Sequence, residues 1–163
     1  MAFNFQGVGP ILEESVSSVT ATPSRNLGDR VTVGGEEYVY AFNAGTGTLS
    51  KGFVAKLITG SSGYSVAATA QTDVFNLAVG VVKHADIAAS SYGWLLVRGY
   101  ASLTPVTALT SADAVVPLAC GASGSVIQWA ATGPTQGLAI AFAAGPNCSA
   151  GVSGLVAFVR TGY

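Results

Sequence analysis

Residues 36–42, Glu36-Glu37-Tyr38-Val39-Tyr40-Ala41-Phe42, decide the class of fold that this sequence adopts. Aromatic side chains occupy every second position of this run, at Tyr38, Tyr40 and Phe42, and smaller residues stand between them. Because successive side chains of a β-strand point to opposite faces, this period places the three rings on one face. The run therefore predicts a strand that has one face in the core.

Similar runs rich in Val, Ile, Thr, Tyr and Phe recur along the chain, separated by turns of Gly, Pro, Asn and Asp. The chain has 21 glycines, which leave little room for long helices, and the Ala-rich residues 85–91 are short enough to form a loop. The sequence thus predicts an all-β fold, a single-domain β-sandwich or β-barrel of about ten short strands. The predicted strands are Arg30–Val33, Glu36–Phe42, Phe53–Thr59, Tyr64–Thr69, Asn76–Lys83, Trp94–Val97, Ser102–Val106, Ala114–Leu118, Val126–Ala130, Leu138–Ala143 and Leu155–Arg160.

The first fifteen residues differ in composition from the rest of the 163-residue chain. Glycines and Pro10 interrupt this segment, which disfavours both a helix and a central strand. We predict an extended N-terminal arm at 1–15 and one barrel or sandwich domain at 16–163. The arm either frays as a chain end or buries its apolar side chains on a neighbouring molecule. Those side chains are Phe3, Phe5, Ile11 and Leu12.

Charged residues are sparse and balanced, with 7 Lys+Arg against 8 Asp+Glu and a net charge of −1. Nucleic-acid binding needs clustered positive charge, so we expect no direct contact with nucleic acid. Only Asp113 and Arg160 carry charge after residue 99. Much of the surface is therefore neutral or covered by partners, above all in the second half of the chain.

The run at residues 138–142 alternates large side chains with alanine, at Leu138, Ile140 and Phe142. Such a pattern fits a strand that packs on both faces, or one whose outer face meets another subunit. We predict that these three residues mediate self-association. Closed symmetry allows both a homotrimer and a dimer, of which the trimer is favoured.

The single histidine, His84, has Asp86, Ser90 and Ser91 as close neighbours in sequence. A Ser/His/Asp triad is defined by three-dimensional geometry, and no Gly-x-Ser-x-Gly motif accompanies these residues. A metal site needs three or four converging ligands, and one histidine with scattered carboxylates offers no such spacing. We therefore expect no catalytic residues, no metal, no cofactor and no enzymatic activity.

Several features bear on the compartment. The first seven residues lack a cationic segment followed by an apolar stretch, and Cys120 and Cys148 form no paired-cysteine motif. The most apolar region, 126–144, is interrupted by polar and glycine residues, so no membrane-spanning helix is expected. These features predict a protein made and kept inside a cell, with reduced thiols and no membrane partner.

Aromatic residues leave a second interpretation open, because rings that line an exposed face can stack on sugars. Core and interface packing is the commoner use of such residues. The aromatic residues in question are Trp94, Trp129, Tyr38, Tyr40, Tyr64, Tyr92 and Tyr100.

Several short motifs in one order resemble small head decoration (cement) proteins of tailed bacteriophages. The central part is Val79-Gly80-Val81-Val82, a short Ala-rich loop at 85–89, and the stretch from Ser91 to Ala101 that contains Tyr92-Gly93-Trp94. The flanking parts are Gly28-Asp29-Arg30-Val31, residues 34–40, Lys51-Gly52-Phe53-Val54-Ala55 and Gly137-Leu138-Ala139. Together these motifs span roughly residues 28–143.

The resemblance implies a β domain that is synthesised in the host cytoplasm and coats the outer surface of a phage capsid. Its partners would be the major capsid protein and further copies of itself, and it would cement neighbouring capsid subunits in the expanded, DNA-filled head. Phe3, Phe5, Ile11 and Leu12 are then the predicted capsid or neighbour contacts. Two alternatives stay open: a tail or fibre component, and a carbohydrate-binding adhesion module displayed on the virion.

Overall fold

The computed structural model describes residues 16–61, 63–70, 78–105, 116–128, 141–143 and 155–160, and these residues form an all-β fold, as predicted. Eight strands there have four residues or more and two have three, so about eight full strands stand where about ten were predicted. The strands are β1 (Arg30–Val33), β2 (Glu36–Asn43), β3 (Val54–Leu57), β4 (Ser65–Ala68), β5 (Ala78–Val81), β6 (Tyr92–Leu103), β7 (Val116–Cys120), β8 (Val126–Gln128), β9 (Ala141–Ala143) and β10 (Leu155–Arg160).

Five strands close into a barrel in the order β2-β4-β3-β5-β6, because β6 pairs back onto β2. All of its pairings are antiparallel except that between β2 and β4, which is parallel. β1 extends the barrel as a hairpin with β2. The hairpin turn is Gly34-Gly35, and both glycines have positive φ, as a tight two-residue hairpin of type I′ requires.

The remaining strands continue from β6 in the order β10-β9-β7-β8. β6 makes this possible because it is twelve residues long. Its first part pairs with β2 and its second part with β10, and the two ladders meet at Arg98. The sequence predicted two separate strands here, at Trp94–Val97 and Ser102–Val106. They form one strand because Gly99, at φ +140°, lets the backbone continue where an L side chain is strained.

The core consists of two clusters on opposite faces of the barrel wall. One draws from all five barrel strands and includes Val39 and Ala41 of β2. The other includes Tyr38 and Tyr40 of β2 together with Leu118 of β7 and Val126 of β8. The prediction that β2 has one face in the core is therefore incomplete, since both of its faces are buried. The reason is that the barrel interior covers one face and the additional strands cover the other.

Candidate functional site

The predicted contact residues fall mostly outside the described part of the chain. Phe3, Phe5, Ile11 and Leu12, as well as Leu138 and Ile140, lie outside it. Phe142 lies in β9, where its backbone pairs with Phe158 of β10 on one side and Pro117 of β7 on the other. Both edges of the strand at Phe142 are thus occupied within the chain, so self-association there would have to use a face of the sheet. The role of these residues in contacts stays a prediction.

The residues around His84 have structural partners. The Nε2 atom of His84 lies 2.9 Å from the hydroxyl of Tyr38. A carboxylate oxygen of Asp86 accepts a hydrogen bond from the backbone N–H of Lys51 at 2.8 Å. Ser90 occupies a left-handed turn at φ 59°, and its N–H donates to the carbonyl of Asn43. The described ranges also contain no group of three His, Cys, Asp or Glu residues that could hold a metal ion.

Glu36 is the centre of a polar cluster where β2 begins. Its Oε2 accepts hydrogen bonds from the Tyr38 hydroxyl at 2.6 Å and from the ammonium group of Lys83, and its Oε1 accepts one from the N–H of Tyr100 at 3.1 Å. The side chain of Glu36 passes over Gly99, where a Cβ would lie 2.8 Å from the Glu36 Cγ. Because the single Tyr38 hydroxyl hydrogen goes to Glu36, the Nε2–H of His84 donates to the Tyr38 oxygen.

This arrangement determines the charge of Glu36. Partial burial raises the pKa of its carboxyl group, but the hydrogen bonds from Lys83, Tyr38 and Tyr100, with the charge of Lys83, outweigh burial and hold the pKa below its ordinary value. The carboxylate is therefore ionised and fully used by neighbours in the fold. A partner-binding or acid/base role for this cluster has no support in its geometry.

An aromatic ladder runs along the pairing of β2 with β6. Tyr40 lies opposite Trp94 and Phe42 opposite Tyr92 in register. The ring centroids are 5.2 Å apart for Tyr40 and Trp94, 4.7 Å for Phe42 and Tyr92, and 6.1 Å for the diagonal pair of Tyr40 and Tyr92. Cross-strand aromatic pairs at these distances stabilise a sheet beyond the area that they bury.

Residues 20–29 form a strap over this ladder. The hydroxyl oxygen of Tyr40 accepts a hydrogen bond from the N–H of Ser24 at 3.1 Å, and the Arg25 guanidinium lies 5.7 Å from the centre of the Trp94 ring system. Burial raises the pKa of Tyr40, yet the hydrogen bonds from Ser24 and Thr20 and the charge of Arg25 bring it below its ordinary value. Trp94 is only 5% exposed, so its ring is part of the packing and offers no stacking surface to a sugar.

A groove of about 430 Å³ lies between the loop after β2 and the end of β4, and we call it the β4 groove. The described residues that line it are uncharged, and all but Phe53 are small: Gly45, Thr46, Gly47, Thr48, Phe53, Ala67, Ala68, Thr69, Ala70 and Ser123. One wall is organised by the fully buried Asn43. Its side-chain amide donates to the carbonyl of Gly47 at 2.9 Å, and its side-chain oxygen accepts from the N–H of Gly45 at 3.0 Å.

Thr69 introduces an unusual feature at this groove. It is 1% exposed, and its hydroxyl oxygen is buried with no hydrogen-bond partner. No other buried side-chain oxygen or nitrogen in the described part of the chain is in this condition. Buried polar groups are normally paired, because an unpaired one costs about 1–3 kcal/mol.

Sequence reasoning did not identify the β4 groove. The residues from Asn43 to Gly47 carry a turn signal, and that signal correctly marks the loop. Thr69 and Ser123, however, are far from this loop in sequence, and nothing in their local sequence context shows that they meet it.

Known proteins are similar to this chain at the level of fold. No protein-family model matches the sequence, and no curated protein matches it at a significant level. The structure is similar to that of the head fiber gp8.5 N base in bacteriophage phi29, with a TM-score of 0.51. The match covers 76% of this chain and 94% of that chain at 10% sequence identity, so it concerns the fold alone.

The described residues contain no helix long and apolar enough to cross a membrane.

Proposed function

We propose that this chain is a structural protein of a tailed-phage virion that coats the outer surface of the head and cements neighbouring subunits of the major capsid protein. The observation that carries the proposal is the fold likeness to the base of a phage head fiber, at a TM-score of 0.51 over 94% of that chain. The resemblance of the motifs between residues 28 and 143 to head decoration proteins points to the same part of a phage particle.

The composition supports a role in assembly. Charged residues make up 9% of the chain, so a surface made of Gly, Ala, Ser and Thr predominates. Such a surface can enter close contacts between many identical copies without leaving charges buried and unpaired. The proposal includes no catalysis.

The proposed mechanism is mechanical reinforcement by preferential binding. A protein that binds only the expanded capsid lattice stabilises that state by mass action, and many weak sites add up over the head surface. The closed barrel would serve as a rigid body, while Phe3, Phe5, Ile11 and Leu12 of the N-terminal arm would anchor it to capsid or neighbour. Copies would associate as trimers, in preference to dimers, through Leu138, Ile140 and Phe142.

Quantitative mass spectrometry of purified virions tests the proposal through the copy number of this chain relative to the major capsid protein. A ratio near one, with hundreds of copies per particle, supports a head cement protein. A handful of copies per particle would contradict it and would favour a fibre or tail component. Absence from the particle would remove the virion role altogether.

Deletion of residues 1–15 tests the anchoring step. We expect the truncated domain to keep its melting temperature and to lose most of its binding to expanded heads in a co-sedimentation assay. The matched control is the full chain under the same conditions. Unchanged binding by the truncated domain would remove the arm from the mechanism and leave the copy-number test unaffected.

A further inference from the structure

We propose that the β4 groove binds an extended, uncharged peptide segment of a partner protein, which adds to the edge of β4 at Ala68. This inference goes beyond the proposed function, whose contacts were assigned to the N-terminal arm and to residues 138–142. It depends on neither of them.

The first argument is the open edge of the barrel wall. In the β3–β4 ladder, Ala67 pairs with Lys56, and the N–H of Thr69 donates to the carbonyl of Val54. Backbone groups alternate in direction along a strand, so those of Val66 and Ala68 point away from β3. The carbonyl of Val66 accepts a hydrogen bond from the N–H of Ala44, in the loop after β2. The pairing of β4 with β2 ends at Val66.

Ala68 is the next residue whose backbone points in that direction. The β2 chain leaves the ladder before reaching it, because the side chain of Asn43 takes the N–H of Gly45. The backbone N–H and C=O of Ala68 consequently have no hydrogen-bond partner among the described residues. An unpaired donor and acceptor side by side at a strand edge are what an incoming strand pairs with.

The second argument is the unpartnered hydroxyl of Thr69. It is buried beside the open edge, and a hydroxyl can both donate and accept. The backbone amide groups of an extended segment carry a donor and an acceptor in every residue, so a segment at Ala68 would supply the partner that Thr69 lacks.

The third argument concerns the chemistry of the occupant. None of the described residues that line the groove is charged, so a charged side chain would lose its hydration there without gaining a partner among them. Gly45 and Ala67 contact each other at one end of the groove, since a Cβ placed on Gly45 would lie 3.2 Å from the Cβ of Ala67. Residues of the segment beside this contact must therefore be small, such as Gly, Ala or Ser.

The groove is also organised before binding. Asn43 holds the loop at both Gly45 and Gly47, and the N–H of Gly124 donates to the carbonyl of Thr69 on the other side. Little ordering of the acceptor is needed, which removes one of the usual costs of peptide binding.

The test is an NMR titration of the full-length, ¹⁵N-labelled protein with the synthetic peptide acetyl-Ser-Gly-Ala-Gly-Ala-Ser-amide. We expect saturable shifts of the amide signals of Gly45, Gly47, Ala68 and Thr69, and slower hydrogen exchange at Ala68. The same peptide with N-methylated alanines cannot donate hydrogen bonds from those residues and is expected to give no saturable shift.

Variants separate the groove from the rest of the surface. Ala67→Leu fills the floor of the groove and is expected to abolish the shifts. The matched control, Ala122→Leu, changes an exposed alanine next to Ser123 and is expected to keep them. Thr69→Val removes the hydroxyl and is expected to weaken binding about fivefold, the worth of one hydrogen bond.

Four outcomes would overturn the proposal. They are an absence of saturable shifts at millimolar peptide, equal binding of the N-methylated peptide, equal binding by Ala67→Leu, and shifts at the groove produced by maltose or galactose in place of the peptide. Concentration-dependent shifts of the same signals without peptide would identify a second copy as the occupant, and would likewise overturn it.

Discussion

The side-chain amide of Asn43 donates a hydrogen bond to the carbonyl oxygen of Ile87 at 2.8 Å, and so joins the end of β2 to a residue 44 positions further along the chain. The same amide bonds Gly47, and its oxygen bonds Gly45, so one buried side chain satisfies three backbone groups. This residue fixes the wall of the β4 groove and one end of the barrel at the same time.

Replacing Asn43 by alanine is expected to lower the free energy of unfolding by about 3 kcal/mol. The physical reason is that Gly45 and Gly47 each lose a hydrogen bond, the buried carbonyl of Ile87 keeps only its bond from the Leu49 N–H, and the removed side chain leaves a gap in a fully buried position. Urea denaturation measures the change. The control is Asn26→Ala at an exposed position, which is expected to cost less than about 0.5 kcal/mol. Equal effects of the two substitutions would contradict the role given to Asn43.

The Glu36 cluster makes stability depend on pH. Because the pKa of Glu36 is lower in the folded protein than its ordinary value of 4.5, its stabilisation is complete above that value. It declines as the pH falls through the lower pKa of the folded state. Glu36→Gln is expected to cost about 1 kcal/mol at pH 7 and to reduce the loss of stability on acidification.

Melting temperatures measured between pH 7 and pH 3 check this expectation. Glu37→Gln is the matched control, since Glu37 is more exposed and has a 3.3 Å contact with the exposed Arg98. A pH profile of Glu36→Gln parallel to that of the natural chain would refute the assignment.

Gly80 of β5 lies directly against the backbone of β6. A Cβ at this position would lie 2.7 Å from the carbonyl oxygen of Leu96, a backbone atom that cannot move aside without breaking the sheet. We expect Gly80→Ala to destabilise the fold by about 2 kcal/mol or more, as overpacking of a core does. The comparison is Gly47→Ala, where a Cβ meets nothing within 4 Å. Thermal unfolding followed by circular dichroism gives the melting temperatures of both variants. Equal melting temperatures would contradict the tight packing assigned to Gly80.

Trp94 is expected to be the most costly aromatic residue to remove. Its ring packs against Tyr40 at 5.2 Å beneath Arg25, and it is 5% exposed. Trp94→Ala is predicted to cost about 3–5 kcal/mol. Tyr100, which is 56% exposed, provides the control, and Tyr100→Ala is expected to cost less than about 1 kcal/mol. Guanidinium denaturation measures the free energy of unfolding of both variants. A small loss for Trp94→Ala would contradict the assignment of the aromatic ladder to the core.

Thr69→Val is expected to raise the free energy of unfolding of the unbound protein by about 1 kcal/mol. The substitution replaces an unpartnered buried hydroxyl by a methyl group of similar size. Thr69→Ser keeps the hydroxyl, removes a methyl group and is expected to destabilise. Differential scanning calorimetry gives both values, and a destabilised valine variant would mean that the hydroxyl has a partner in solution.

The class of fold and several turns could be predicted because local patterns carry them. The alternation at Tyr38, Val39 and Tyr40 predicts a strand whichever neighbours it meets, and Gly34-Gly35 supplies the positive φ that a hairpin turn needs. The length of β6 could not be predicted in this way. A glycine inside a strand ordinarily indicates a break, and only the pairing with β10, which runs through Gly99 and meets the β2 ladder at Arg98, makes the strand continuous.

The sequence by itself determined an all-β chain with sparse, balanced charge and no local motif for catalysis, because composition and the period of two are properties of neighbouring residues. Closure of the barrel, burial of both faces of β2 and the open edge at Ala68 were decided by the tertiary structure. These features depend on which strands pair, and pairing brings together residues such as Asn43, Thr69 and Ser123 that are remote in sequence. The free energy of such contacts arises only after the chain has closed, so no local stretch of residues encodes them.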